Sequence, residues 1–296
     1  MSADVKKIAL YLSAAGFTAK DEKASRILKE DDGNLIEQNL DGTDIIDEIF
    51  IAEDVEPDTS ALYINREDRC MIAYATNSNT LGCVQRISAP EDEPEWTEVP
   101  IAGIGAVPIF EKSRIAGTNT PDGAQVFFQH PDGSIMSILY DDETKMWEEG
   151  DVIPAAAAAA GTPLYVTELE DALGVFYLSN ENKICGQLQN NTTGEWKEHV
   201  IENSFFEDAV TSFILIWDGQ QKAFNTYVLA AATLVHIDCS GGRKVLGKWA
   251  SGQFVPDTAA ECGLFINIWF GLFGVCGNIG GYRHRCKRHR RHPRRC

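Results

Sequence analysis

Ala9-Leu10-Tyr11-Leu12-Ser13 returns as Ala61-Leu62-Tyr63-Ile64-Asn65 and again as Pro163-Leu164-Tyr165-Val166-Thr167. Looser copies are Ser113-Arg114-Ile115-Ala116-Gly117, Phe213-Ile214-Leu215-Ile216-Trp217 and Leu264-Phe265-Ile266-Asn267-Ile268. Their first residues step by 52, 52, 50, 50 and 51, so the pattern keeps its phase along the chain. Trp96, Trp147, Trp196 and Trp249 keep a similar step, at 51, 49 and 53. The first unit has no tryptophan; Asp47 stands near its expected place.

Turn chemistry falls between the two landmarks: Asp31-Asp32-Gly33, Asn77-Ser78-Asn79, Pro131-Asp132-Gly133 and Asn180-Glu181-Asn182. In the fifth unit, near Ala230 to Thr233, the turn residues are gone. The third unit shows the plan most clearly. Val126-Phe127-Phe128 reads as a strand, Pro131-Asp132-Gly133 as the turn, Ile135 to Tyr140 as the return strand and Trp147 as an aromatic anchor.

A unit of about 50 residues with three or four short strands cannot bury both faces of its own sheet, so it must stack on its neighbours. Four-stranded units repeated radially make a β-propeller, and the 296 residues accommodate six. The expected fold is all-β: a six-bladed propeller with blades starting near 6, 59, 111, 162, 211 and 262. The start, MSADVKKIALYLSAAG, alternates like a strand and reads as one rather than as a signal peptide. Ala155 to Ala160 reads as a small-residue linker, and the tryptophans as filling between blades.

The end of the chain breaks the plan. The sixth unit starts at Leu264 with only 33 residues left. Gly263 to Tyr282 is an uncharged run of 20 residues, followed by RHRCKRHRRHPRRC, which carries eight cations and no acid. Three readings are open: a membrane-spanning helix with a basic flank, a basic interaction arm, or a segment foreign to the fold. Six glycines in the run and the phase match of LFINI to a blade strand weigh against the first. The abrupt loss of pattern favours the third. The expected division is a propeller over 1–274, its sixth blade incomplete, and an aberrant basic tail over 275–296.

The net charge is −18, and without the tail 18 cations face 44 acids, a net of −26. Such a body repels nucleic acid and anionic membrane. The eight cysteines form no CxxC pair and no zinc-spaced Cys/His set, which reads as free thiols in a reducing compartment. The expectations are a cytoplasmic protein, with non-classical release open, and no metal or other cofactor. Half of the six histidines lie in the tail and none belongs to a triad motif, so an enzyme is not expected.

No Gly-His accompanies the single Trp217-Asp218, no double glycine recurs, and no Asp-box is visible, which sets aside the WD40, kelch and sialidase-type propellers. Val126-Phe127-Phe128-Gln129-His130-Pro131-Asp132-Gly133-Ser134-Ile135 resembles the repeat of the fungal fucose-specific lectins, which reads roughly Arg-Val-Tyr-Tyr-Gln-Asp-x-Asp-Gly-x-Ile-x-Glu and then Gly-x-Trp. Leu173 to Trp196 is similar to it more weakly. The resemblance implies a six-bladed lectin. Each sugar would sit between blades, held by an Arg before the first hairpin strand, a Glu on the second and an aromatic ring. A forked guanidinium and a carboxylate suit vicinal hydroxyls, and an aromatic ring suits the C–H face of a sugar.

Carried over residue by residue, the pattern has decayed. The Arg and Glu positions are Met71 and Cys83 in the second unit, Gln125 and Ser137 in the third, and Gly174 and Gly186 in the fourth. In the fifth, Asn225 is nearest the Arg position and no Glu follows. Only the first unit keeps a pair, Arg26 and Glu37, and Arg26 stands one residue closer to Gly33 than the pattern wants. A one-residue slip would turn it to the other face. The expected sugar-binding residues are Arg26, Glu37, Tyr63, Trp96, Gln125 and Trp147, with none catalytic. The expected function is a carbohydrate-binding lectin of fucose type with few surviving sites, its partners fucosylated glycans; a homodimer stays open. The alternative is a propeller that has lost sugar binding and serves as a protein-interaction scaffold.

Overall fold

The computed structural model describes residues 3–19, 24–66, 69–87, 95–250 and 253–257. Five antiparallel sheets follow one another along the chain. Blade 1 comprises β1 (Gly16–Ala19), β2 (Ala24–Asp31), β3 (Asn34–Asp41) and β4 (Asp44–Ala52). Blade 2 comprises β5 (Ala61–Asn65), β6 (Arg69–Ala75), β7 (Leu81–Ile87) and β8 (Thr97–Glu98). Blade 3 comprises β9 (Ala116–Thr120), β10 (Gly123–Gln129), β11 (Ile135–Asp141) and β12 (Trp147–Ile153). Blade 4 comprises β13 (Leu164–Glu168), β14 (Ala172–Leu178), β15 (Ile184–Asn190) and β16 (Trp196–Val200). Blade 5 comprises β17 (Val210–Asp218), β18 (Ala223–Ala230), β19 (Thr233–Ile237), β20 (Arg243–Ala250) and β21 (Gln253–Pro256).

Within each sheet the strands are neighbours in chain order, and the first strands β1, β5, β9, β13 and β17 touch in succession. These first strands and the chain from Tyr11 to Ala15 line a cavity of about 100 Å³. The molecule is a β-propeller, with five blades among the described residues. The expected start of a sixth blade near 262 and the expected break between 274 and 275 fall outside them.

The second strands explain why the repeat was visible. Every residue of β10 is buried, because both faces of its sheet are covered by other blades. Ala124, Val126 and Phe128 pack into the cluster shared with blade 2, and Phe127 into the one shared with blade 4. Strand alternation therefore distributes one hydrophobic segment between two inter-blade cores.

One reading from sequence is corrected. Ala3–Ser13 is a helix, α1, and not a strand. Val5, Ile8, Ala9 and Leu12 are its buried residues against blade 5, at the i, i+3, i+4, i+7 spacing of a helical face. Tyr11 points elsewhere, stacking on Phe17 at 4.5 Å and packing with Ile27 and Leu40 of blade 1. α1 thus bridges blades 5 and 1, and the Ser212 hydroxyl donates to the Leu12 carbonyl. The first copy of the repeat motif lies in this helix, so blade 1 starts at Gly16 rather than near 6. A side chain at Gly16 would collide with the Ala61 carbonyl, which fixes glycine where the helix turns into the ring.

The fifth hairpin turns where the sequence places it, without turn residues. It keeps a two-residue turn, Ala231-Ala232, with φ of 42° and 64° at the two alanines. Alanine in the left-handed region costs roughly 1–2 kcal/mol per residue. The turn is imposed by the register of β18 on β19 and not by its own residues. Elsewhere the turns are as expected. Asp32-Gly33, φ 54° and 79°, forms the type I′ connection of β2 and β3. Ala155 to Ala160 is irregular, as a linker should be.

Candidate functional site

The turn at Asp32-Gly33 places the first pair of site residues. It pairs Asp31 with Asn34, which sets Leu28 opposite Glu37 and Arg26 opposite Asn39. Directly paired residues share a face, and so do residues two apart on one strand. Arg26 and Glu37 are therefore diagonal neighbours on one face of blade 1. The irregular spacing of Arg26 does not turn it away.

That face packs on blade 2. Glu37 is fully buried, and its Oε2 accepts a hydrogen bond from the Tyr63 hydroxyl at 2.8 Å. Arg26 Nη1 lies 3.8 Å from Oε2, with the arginine side chain 39% exposed. On the other side, Arg86 Nη1 lies 3.6 Å from Oε1, with its side chain 13% exposed. The Arg86 guanidinium sits 4.7 Å from the centre of the Trp96 ring, a cation–π contact. Oε1 of Glu37 accepts no hydrogen bond. Burial, followed by the Glu37 charge, holds the Tyr63 hydroxyl well above its usual pKa, so it stays protonated and donates. Burial likewise pushes the nearby Cys70 thiol up to about 11, leaving it neutral.

A buried carboxylate persists when its charge is compensated and its oxygens are bonded. Here two guanidiniums and one hydroxyl share that task. The result is one crevice with a buried acceptor, two forked donors that are partly open to solvent, and an aromatic ring beside them.

Of the six residues expected at a site, Arg26, Glu37, Tyr63 and Trp96 come together. Tyr63 is a buried donor to Glu37, not an exposed wall. Gln125 and Trp147 lie elsewhere. Trp147 is 2% exposed and packs among Met71, Cys83 and Tyr140, filling the space between blades 2 and 3. Gln125 lies between blades 3 and 4, where its Nε2 donates to Ser137 Oγ at 3.0 Å. Ser137 is also bonded to Asp151, so this pair is satisfied within the protein.

The fourth blade shows why its positions are glycines. A Cβ on Gly186 would meet Phe176 at 2.5 Å and one on Gly174 would meet it at 2.7 Å. The fully buried Phe176 ring lies where an Arg–Glu pair would reach, edge-on to Phe224 at 5.0 Å. In blade 5, the register sets Tyr227 opposite His236, which places His236 where Glu37 stands in blade 1. His236 Nε2 is 3.2 Å from Asn225 Oδ1, and its ring stacks on Tyr227.

Arg86 is the residue that sequence reasoning missed. The available signal was its position two residues after Val84, on the face that turns to blade 1. The span 88–94 before Trp96 hid the pairing of β7 with β8. Among the described residues no group of three or more His, Cys, Asp or Glu could hold a metal ion, and no helix is long and apolar enough to cross a membrane. Cys70, Cys83, Cys185 and Cys239 are free thiols, as expected.

No family model and no curated protein matches the chain. Solved structures do. A triple arginine-to-alanine mutant of AofleA from Arthrobotrys oligospora superposes with a TM-score of 0.62 at 13% identity, covering 81% of this chain and 74% of that one. The fucose-specific lectin from Aleuria aurantia gives 0.56 at 15% identity, over 79% and 77%. The SapL1 lectin, in complex with alpha methyl fucoside, gives 0.52 at 16%, over 82% and 79%. The fold is that of the fungal fucose-specific lectins. A further structure of the Aleuria aurantia lectin, with a TM-score of 0.50, is described as a six-bladed β-propeller. At 16% identity or less, the likeness speaks to the lectin fold alone.

Proposed function

We propose that the protein is a carbohydrate-binding lectin of fucose type that acts through the crevice between blades 1 and 2. One observation carries this reading: Arg26 and Glu37, the only Arg–Glu pair at the repeat's two positions, share one face and meet an aromatic residue of the next blade. The guanidiniums can donate to vicinal oxygens with the buried Glu37 carboxylate behind them, and the part of Trp96 that Arg86 leaves uncovered offers an apolar surface beside them. The three crevices that follow around the ring are closed by Met71, Cys83 and Trp147, by the bonded Gln125–Ser137 pair, and by Phe176. In this reading fucosylated glycans are the partners, and the chain binds without catalysis.

A glycan array tests it. The wild type should bind fucosylated glycans, and Arg26→Ala should weaken that binding by about tenfold, the effect of one charge-assisted hydrogen bond. A wild type that binds no glycan would leave the scaffold reading in its place.

A further inference from the structure

Glu37 is one carboxylate between two guanidiniums. Both lie beyond hydrogen-bonding distance, at 3.8 Å and 3.6 Å, so they balance its charge without spending their donors on it. Among the described residues neither Arg26 nor Arg86 donates a hydrogen bond to another protein group. Arg86 is nonetheless nearly buried, stacked on Trp96. A guanidinium held there with open donors carries a desolvation cost that the Glu37 charge and the Trp96 ring offset only in part, because among the described residues no acceptor takes its N–H groups.

The charges around the crevice point the same way. Tyr63 and Cys70 are neutral. Further carboxylates register onto these faces: Asp47 opposite Asn39, Asp41 opposite Asp44, and Glu98 opposite Val84, all exposed, and Glu30 opposite Leu35, whose oxygens accept from the Gly33 and Asp58 backbone N–H groups at the turn end of the blade. Asp47 is also engaged by the Asn39 amide at 3.4 Å. Solvent screens exposed charges far more than buried ones. Among the described residues, the buried part of the crevice therefore holds one excess positive charge, within a body whose net charge outside the basic tail is −26.

We propose that the saccharide this crevice prefers is acidic, carrying a sulfate or a carboxylate that bridges Arg26 and Arg86. A two- or three-oxygen anion matches the fork of a guanidinium and would use the donors that Glu37 leaves open. Trp96 supports this division of labour. The ring face beneath Arg86 is covered by the guanidinium and is closed to C–H stacking, so recognition falls more on charge than it would at a bare ring. The inference rests on the reading that the crevice holds a sugar.

Calorimetric titration with matched pairs tests it: methyl α-L-fucoside against its 4-sulfate, and methyl β-D-glucoside against methyl β-D-glucuronide. In at least one pair the charged member should bind about tenfold tighter at low ionic strength, and about 1 M salt should remove most of that advantage. The pair that responds tells sulfate from carboxylate. Arg86→Gln should bring the charged-to-neutral ratio to about one, while Arg86→Lys, which keeps the charge but loses the fork, should retain part of it. Thermal melts of both variants report whether the fold is intact. Neutral members binding as tightly as charged ones in both pairs would overturn the inference and leave the lectin reading standing. No binding by any of the four would overturn both.

Discussion

Glu37→Gln is expected to destabilise the protein by about 2–4 kcal/mol, whereas Arg26→Ala should cost less than about 1 kcal/mol. The asymmetry follows from burial. Glu37 has no exposed surface, and Arg26 is 39% exposed and 3.8 Å away. Glutamine keeps the size of the side chain and an oxygen for the Tyr63 hydroxyl. It removes the charge that balances Arg86, whose side chain is 13% exposed. That leaves a cation stranded between two blades, the costly way to break a buried pair. Urea unfolding of the two variants at neutral pH measures the contrast. Equal, small effects would mean that Glu37 is not electrostatically engaged in the crevice.

The second large effect concerns the crevice between blades 4 and 5. Phe176→Ala should cost about 3–5 kcal/mol, since the ring is fully buried and packs on Phe224. Gly186→Ala should cost about 2 kcal/mol in the wild type, because its Cβ would meet the Phe176 ring at 2.5 Å. In the Phe176→Ala background the same glycine change should be close to neutral. The double-mutant cycle should therefore show a coupling of about 1–3 kcal/mol. Additive effects would mean that the glycine does not exist to make room for the ring.

The fold was legible where chemistry repeats. Turns with Gly, Asn or Asp marked four of the hairpins, and alternation marked the strands between them. Two features were not. α1 carries its apolar residues at 5, 8, 9 and 12, but Leu10 and Tyr11 between them mimic alternation, and only the seam between blades 5 and 1 explains a second buried side. The Ala231-Ala232 turn has no local signal because tertiary pairing imposes it.

The site was half legible for a similar reason. Arg26 and Glu37 sit at repeat positions and could be found by counting, and the turn at Asp32-Gly33 settled their common face. Trp147 keeps the same step as Trp96 but is core, because Met71 and Cys83 replace the polar pair it would face. Arg86 has no counterpart in the repeat, so its one signal was its alternation with Val84, and the packing of blade 2 on blade 1 shows what it faces.

The stoichiometry of sugar binding tests the account most directly. Calorimetric titration of methyl α-L-fucoside into the wild type should give one site per chain, and Glu37→Gln should abolish that heat. Two or more equivalent sites, or one site that survives the loss of the Glu37 charge, would contradict the assignment of binding to the crevice between blades 1 and 2.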